Sequence, residues 1–474
     1  MKTEWTQKRL TRRGFLRAST ATGMLAVLAA CAPATLAPSS TSEGALPAPS
    51  EALKEITIWG FNQPGEVARA EHFNANHPNI KLTMSAQDTG GQGAEAAQKF
   101  LTAVAAGTTA PVVVFDRFQI ASYGHRNAFM ALDDFIARDS FDVNRFSEAT
   151  LRECHGIDGK IYAFPRHFVN RYYFLNTEQF EEAGLDPSKG LTDWEFFKEA
   201  AGKLTQTDES GRITRVGIEP TPDMAYTWGW ANGGAWISED GRTATMNDPR
   251  NVEAYEFAVE VADAMGGQEA VNGFATAFQS DAGQPFLMGQ TSMKFHGNTF
   301  LRQVALYRPE LRFHVSHYAT PNVSDPRQSW AAGHAWVIPR GTEEADTAWE
   351  ILSYFMSFES NMAYQEAEKA VSEAQGAAYL PMLVGQPEQD AKFSEMYKTG
   401  IEDIDRAFQF GLQIMEETPI VHIRPQSPAA SEMWDAVILA LEETLLKSKT
   451  AEQALTDAND KIQAVLDEAW AMAG

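Results

Sequence analysis

The chain has 474 residues, and because a single hydrophobic core rarely grows past about 250 to 300 residues, the length predicts two lobes. The formal net charge of −24 repels polyphosphate, and no run of lysine or arginine follows the N-terminal segment, which disfavours a nucleic-acid partner. The 28 Phe, 12 Tyr and 11 Trp residues exceed what packing needs and favour a binding surface lined with rings.

The first 31 residues have the pattern of an export signal. Arg12 and Arg13 precede an apolar run over 24–30, as in twin-arginine signals, and this run is too short to cross a bilayer of about 30 Å. Residues 28–31 resemble the lipobox of bacterial lipoproteins, in which the cysteine is acylated. The sequence therefore predicts an exported protein, attached to the outer face of the cytoplasmic membrane only through lipid on Cys31.

Residues 32–54 are rich in Ala, Pro, Ser and Thr, which predicts a disordered tether. The pattern that follows alternates strands and helices. It predicts strands over 56–59, 80–84 and 112–115, a helix containing Phe73 between the first two strands, and a helix over 94–106 before the third. Such alternation indicates a mainly parallel sheet, and such sheets bind ligands at the carboxyl ends of their strands. Those ends are residues 59–63 and 116–118.

The pattern restarts with a strand over 172–175 and a helix opened by a capping box from Thr192 to Glu195. The segment 228–236 concentrates three tryptophans among glycines, a poor composition for a helix or a strand. We therefore expect a rigid loop that presents Trp228 and Trp230 to a ligand, whereas Trp236 is as well explained by a structural role.

Six segments resemble, in chain order, the family 1 extracellular solute-binding proteins of ABC importers, the group that includes maltose-binding protein. They are residues 159–165, 173–176, 180–185, 286–293, 333–339 and 348–358. The resemblance implies an α/β two-lobe periplasmic-binding-protein fold of the class II type, with discontinuous lobes around a hinge and a ligand cleft. One lobe would comprise 55–167 and about 318–365, the other 168–317 and about 366–474, with crossovers near Phe168 and Tyr318.

The resemblance also implies the function. Such a protein captures a sugar or oligosaccharide by closing its cleft, acts as a monomer without a cofactor, and delivers the ligand to the membrane permease. Rings suit the C–H face of a sugar, and planar polar groups suit its hydroxyls. The candidate ligand contacts are Trp59, Phe61, Asn62, Asp116, Arg117, Arg166, Tyr173, Trp228, Trp230, His296, Asn298, Gly333, His334 and Arg424.

Several of these candidates have structural alternatives. Trp59 could pack between lobes, Asp116 could be a turn residue, and His334 could be an ordinary buried histidine. The loop 296–299 aligns with a family loop that often carries a stacking aromatic residue, and this chain has no Trp there. His314 and His317 would point to opposite faces of a strand, so we expect no metal site.

Two other functions share these features. An exported carbohydrate hydrolase would need two carboxylates about 5 to 9.5 Å apart, and the pairs Asp133/Asp134 and Asp403/Asp405 have simpler structural explanations. The motifs of common hydrolases are missing from the sequence, so we expect no enzyme. A ligand-sensing subunit of a membrane receptor would have the same fold and differ only in its partner.

Overall fold

The computed structural model describes residues 53–86, 94–219, 221–275 and 284–473. The predicted export signal with Arg12 and Arg13, the lipidation site Cys31 and the tether up to residue 52 lie outside the described residues. The strands are β1 (Lys54–Gly60), β2 (Ile80–Ala86), β3 (Val113–Asp116), β4 (Ala163–Pro165), β5 (Val169–Asn176), β6 (Gln206–Thr207), β7 (Ile213–Ile218), β8 (Thr291–Gly297), β9 (Phe313–Ser316), β10 (Gln328–Ala332), β11 (His334–Val337) and β12 (Ile420–His422).

Helices cover these strands. They are α1 (Pro64–Asn76), α2 (Ala94–Ala105), α3 (Ile120–His125), α4 (Asp133–Asp139), α5 (Glu148–Arg152), α6 (Thr177–Glu182), α7 (Trp194–Leu204), α8 (Met224–Ala231), α9 (Pro249–Ala264), α10 (Gln268–Ala275), α11 (Phe300–Tyr307), α12 (Ala345–Phe355), α13 (Phe358–Ala374), α14 (Pro387–Met396), α15 (Glu402–Glu417), α16 (Ala430–Leu445) and α17 (Ala451–Ala473). Within the described part of the chain, none of these helices is long and apolar enough to cross a membrane.

The first sheet has the order β2-β1-β3-β11-β4. Strand β1 runs parallel to β2 and to β3, and β11 runs antiparallel to β3 and β4. The predicted strand-helix alternation of the first lobe is confirmed. Its core packs Ile58 and Trp336 of the sheet against Phe73 of α1 and Phe355 of α12, and each such buried side chain contributes about 1.5–3 kcal/mol.

The second sheet has the order β12-β10-β5-β8-β7-β6, with β9 also paired to β5. Strand β5 is antiparallel to β8, β9 and β10, whereas β7 and β8 are parallel. A separate core lies on this sheet, built around Phe197, Tyr255 and Val437. Two sheets, each with its own core, confirm the predicted two-lobe α/β fold.

The connections between the lobes depart from the expected boundaries. The first crossover runs from β4 to β5 through residues 166–168. The second lies at Gly333 rather than near Tyr318, because β10 pairs with β5 and β12 in the second sheet. Gly333 has φ +142, and an added Cβ would lie 2.5 Å from the His167 carbonyl oxygen, so the crossover requires glycine.

The return to the second lobe also comes later than residue 366. Helix α13 continues to Ala374 and packs along α1. Arg69 Nη2 donates to Asn361 Oδ1 at 2.8 Å, and Gly65 N donates to Glu368 Oε1 at 2.8 Å. The first lobe therefore keeps the whole of α13, and the chain passes over between α13 and α15.

Two local predictions need correction. The tryptophan-rich segment is helical over 228–231, the last turn of α8, because burial of its rings outweighs the poor helix propensity of its glycine, whereas residues 232–236 follow the helix without regular structure. The N-cap of α7 is Asp193, whose side chain accepts from Phe196 N at 2.8 Å, and not Thr192.

Candidate ligand-binding site

A cavity of about 270 Å³ lies between the two lobes. Its first-lobe wall consists of Phe61 after β1, Arg166 after β4 and His334 at the start of β11. Its second-lobe wall consists of Asn298, which follows β8, and Arg302 in the first turn of α11. The other residues that line this front cavity are Gln63, His167, Phe168, Thr299, Tyr364, Leu380, Pro381, Met382, Leu383 and Phe408.

Arg166 is held in the wall by a buried ion pair. Its Nε and Nη2 lie 2.7 and 2.6 Å from Glu66 Oε1, and the Glu66 side chain is fully buried. The guanidinium also lies 4.5 Å from the ring centroid of Phe61. Arg69 Nη1 approaches the other oxygen of Glu66 at 3.6 Å. This ion pair fixes one polar edge of the cavity.

Two imidazoles form the next part of the wall. His167 and His334 stack with ring centroids 5.1 Å apart, and the Phe61 ring meets His334 edge-on at 5.2 Å. Burial lowers the pKa of His334 to about 4; Asp116 opposes this shift, and the nearby arginines reinforce it. Burial also lowers the pKa of His167 well below its usual value. Both rings are therefore neutral at pH 7.

Three polar atoms in this wall have no hydrogen-bond partner among the described residues. They are Asn298 Oδ1, Arg302 Nη2 and His334 Nδ1. A buried polar group without a partner costs about 1–3 kcal/mol. A solute that carries hydroxyl groups and acceptors would remove this cost. Within the described ranges, no cluster of three or more His, Cys, Asp or Glu side chains is placed to hold a metal ion.

Asp116 and Arg424, both predicted to contact ligand, contact each other instead. Arg424 Nη2 lies 2.5 Å from Asp116 Oδ1, and Nη1 lies 3.1 Å from Oδ2, with both side chains at least nine-tenths buried. Asp116 ends β3 of the first sheet, whereas Arg424 follows β12 of the second. The pair is a bidentate bridge between the lobes, since Arg matches a carboxylate in this geometry.

Arg117 lies in the hinge and not in the cavity wall. It is fully buried, and its Nη1 donates to the His167 carbonyl at 2.8 Å. Its Nη2 donates to the Ala332 carbonyl at 2.5 Å, and its Nε donates to Glu153 Oε2 at 2.9 Å. One guanidinium therefore ties the first crossover, at His167, to the second crossover, next to Ala332.

The predicted stacking aromatics belong to the protein core. Trp228 packs edge-on against Phe197 and Phe257, and Trp230 stacks on His422 at 4.8 Å. Tyr173 is likewise buried in the core of the second lobe, as is Trp236. The structure therefore places none of these four rings in the front cavity wall.

The remaining candidates lie near the cavity but not in its wall. Trp59 is partly buried and packs against a core cluster that contains Phe115, and Asn62 is exposed. His296 packs on Phe300 with ring centroids 5.2 Å apart, and burial lowers its pKa to about 3. None of these three side chains is among the described residues that line the cavity.

Sequence reasoning missed several wall residues, chiefly Gln63, His167, Arg302 and Tyr364. Arg302 had a detectable signal, because it follows the predicted contact Asn298 by four residues, which is one turn of a helix. Tyr364 had none, because α13 reaches the cavity only through its packing on α1.

Two lobes joined by three crossovers, with a polar cavity between them, define a two-lobe solute-binding protein. Residues 68–378 match the family of bacterial extracellular solute-binding proteins, and the chain belongs to this family. Membership implies an exported protein, and the family consists of substrate-binding proteins rather than enzymes.

Solved structures with the same fold bind different solutes. CpMnBP1 with mannotriose bound has a TM-score of 0.69 and 22% identity, over 87% of this chain and 100% of that one. An ABC substrate-binding protein from Listeria monocytogenes in complex with cycloalternan has a TM-score of 0.67 and 20% identity, over 88% of this chain and 99% of that one. UgpB from Mycobacterium tuberculosis in complex with glycerophosphocholine has a TM-score of 0.67 and 18% identity, over 87% of this chain and 98% of that one. At such identities the likeness establishes the fold.

Proposed function

We propose that this protein is the substrate-binding subunit of an ABC importer, and that it binds a sugar or oligosaccharide between its lobes and delivers it to the permease. The observation that carries the proposal is the front cavity, whose wall contains three buried polar atoms without partners. The fold relatives that hold mannotriose and cycloalternan support a saccharide as the ligand.

Contacts from both lobes explain how binding could signal. Arg166 and His334 belong to the first lobe, and Asn298 and Arg302 belong to the second, so one ligand would contact all four only in the closed form. A ligand shifts the equilibrium between open and closed forms only by its difference in affinity for the two. The closed form with ligand would then be the state that the permease recognises.

We also propose that the ligand is not chemically changed. Asp133 Oδ2 accepts from Ile161 N at 3.1 Å, and Asp403 is 2.6 Å from Arg406. Asp405 accepts from Thr399 N and Gly400 N at 2.9 Å each. These carboxylates serve the fold and are not in the cavity wall, which leaves the hydrolase alternative without support.

Calorimetry of the chain without residues 1–31, against a panel of neutral and acidic mono- and oligosaccharides, tests the binding. We expect saturable binding of at least one saccharide, a raised Tm and a smaller radius of gyration in solution scattering. A panel with no binder would refute the proposal, and so would the release of glycan products during binding.

The lipid anchor is proposed from the sequence alone. If Cys31 is acylated, cells fed a labelled fatty acid will incorporate label into the wild-type protein and not into Cys31→Ser. Replacement of Arg12 and Arg13 by lysine should block export in the same cells. Label in the Cys31→Ser protein would contradict the anchor.

The proposed monomer is tested by light scattering after gel filtration, where a dimer mass would refute it.

A further inference from the structure

The sign of the charge in the front cavity is opposite to that of the whole protein. The chain has a net charge of −24, yet the cavity wall contains two arginines, Arg166 and Arg302. No Asp or Glu is found among the described residues that line it. The two histidines in the wall are neutral at pH 7, so the arginines alone set its charge.

Only one of the two arginines has its charge compensated. Arg166 is paired with the buried Glu66 behind the wall. For Arg302, by contrast, no carboxylate of the described chain lies within 4.0 Å, and its buried Nη2 has no hydrogen-bond partner. Its guanidinium rests 5.9 Å from the ring centroid of Tyr379. Because arginine stays protonated, this site holds a positive charge; Tyr364 and Tyr379 interact with it, and Glu368 acts on it only from beyond ion-pair distance.

The carboxylate that could neutralise Arg302 already accepts a hydrogen bond within the fold. Glu368 accepts a hydrogen bond from Gly65 N at 2.8 Å, and this bond ties α13 to the start of α1. Glu66, the other buried carboxylate in this region, lies between Arg166 and Arg69. The structure thus leaves Nη2 of Arg302 without a described partner, and this atom can bind a group that arrives with the ligand.

The surroundings of Arg302 suit an anion attached to a polyol. Arg302 lies in the first turn of α11, where the helix dipole is positive, and Asn298 precedes that turn. The buried Oδ1 of Asn298 can accept from a hydroxyl, and Nδ1 of His334 is a further unused polar atom. Asn298 is only 7% exposed, so its side chain is shielded from bulk water.

We propose that the solute is an acidic saccharide whose carboxylate or phosphate pairs with Arg302 while its hydroxyls bind Asn298 and His334. The proposal rests on the proposed function and names the substrate class of the same site. A volume of about 270 Å³ lies just below the range of about 300–1,000 Å³ for small-molecule sites, so the solute is compact.

Matched pairs of ligands test the charge. Calorimetry would compare galacturonate with galactose, and glucose 6-phosphate with glucose, together with the di- and trisaccharide forms of each. We expect an acidic member to bind at least about tenfold more tightly than its neutral partner, with the carboxylate and phosphate arms identifying the source of the anion. If neutral saccharides bind as tightly as acidic ones, this inference is wrong and the proposed function stands. If no saccharide binds, both are refuted.

The variant Arg302→Gln tests the residue. We expect about a tenfold or larger loss of affinity for the acidic ligand, with the neutral partner changed by less than about twofold. Arg312→Gln is the matched control, since Arg312 is half exposed, pairs with exposed Glu181 and lies outside the cavity. It should leave both affinities unchanged.

The variant Arg302→Lys guards against a folding defect in the glutamine variant, because it keeps the charge and should retain part of the preference for the acidic ligand. Raising the salt from about 0.05 to 0.5 M should weaken acidic binding to the wild type and leave Arg302→Gln unaffected. Equal losses for both ligands in correctly folded Arg302→Gln would overturn the assignment.

Discussion

Two cavities meet at the first crossover, and Phe168 and Leu383 line both of them. The front cavity has a volume of about 270 Å³, whereas the second, here the rear cavity, reaches about 560 Å³. The rear cavity is lined by Ser147, Glu148, Ala149, Arg152, Gly385, Pro387, Asp390, Ala391, Ser394, Glu395, Gln409, Gly411, Leu412, Gln413, Pro419 and Val421 in addition to the two shared residues. By size alone, the rear cavity would be the ligand site.

The hydrogen bonds of the two walls favour the front cavity instead. In the rear cavity, Asp390 accepts from Val384 N at 2.6 Å and from Gly385 N at 3.0 Å. Gln409 Nε2 donates to Ser394 Oγ at 2.7 Å. Of the described side chains that line the rear cavity, none has a buried polar atom without a partner, whereas the front cavity has three. The unsatisfied polar atoms therefore favour the front cavity as the proposed site, although the rear cavity is larger.

The charges of the two walls also differ in sign. The rear wall has three acidic residues, Glu148, Asp390 and Glu395, against Arg152. The front wall has two arginines and, within the described chain, no carboxylate. The two cavities should therefore respond in opposite directions to an anionic solute and to pH.

The largest expected effect comes from removing one arginine from each wall. Arg166→Gln leaves Glu66 buried without its closest partner, although Arg69 remains at 3.6 Å. Breaking a buried pair costs about 3–5 kcal/mol, and we expect a free energy of unfolding about 3 kcal/mol lower in chemical denaturation. Arg152→Gln removes an exposed bond to the Val421 carbonyl and should cost less than about 1 kcal/mol. Equal costs would show that Arg166 carries no buried charge.

Next in size is the removal of one amide from each wall. Asn298→Leu removes a polar atom that we assign to the solute, so saccharide affinity should fall about tenfold or more. Gln409→Leu in the rear wall breaks only the bond to Ser394, and affinity should change by less than about twofold. Calorimetry with the ligand that binds best decides the matter. A larger loss from Gln409→Leu would move the site to the rear cavity.

The sequence predicts those structural features of this molecule that are determined by residues close together in the chain. The strand at 56–59 and the helix that contains Phe73 follow from hydrophobic periodicity, and the structure has both. These features need only neighbouring residues.

The site was predictable only where it follows strand ends. Phe61, Arg166, Asn298 and His334 were all predicted to contact ligand, and the structure brings them to one cavity. The residue Trp230 had the right chemistry for a ligand contact but stacks on His422, almost two hundred residues away in the chain. Such a partner depends on tertiary packing, which a sequence pattern does not contain.

A pH experiment compares the walls through His334 of the front cavity. Its pKa in the native protein is about 4 because of burial, against about 6.5 when unfolded. Between these values the unfolded chain binds a proton that the native protein does not, so stability falls as pH drops from 6.5 to 4. His334→Gln should lose stability less steeply over this range in urea titrations at successive pH values. An unchanged slope would mean that the ring is already protonated or exposed.

A pH dependence of opposite sign should come from Asp390 of the rear wall. Burial raises the pKa of this carboxyl to about 7, and the backbone N–H groups of Val384, Gly385 and Gln386 only partly oppose the shift. The native protein therefore keeps a proton that the unfolded chain loses above about 3.8, and stability falls as pH rises from 3.8 to 7. Asp390→Asn removes this loss, so the variant should gain stability relative to wild type across that window, by at most about 1.4 kcal/mol per pH unit.

Because His334→Gln and Asp390→Asn should change the pH slope with opposite signs, the pair of variants tests the two walls in one series of denaturation curves. Slopes that change in the same direction would remove the electrostatic distinction between the cavities.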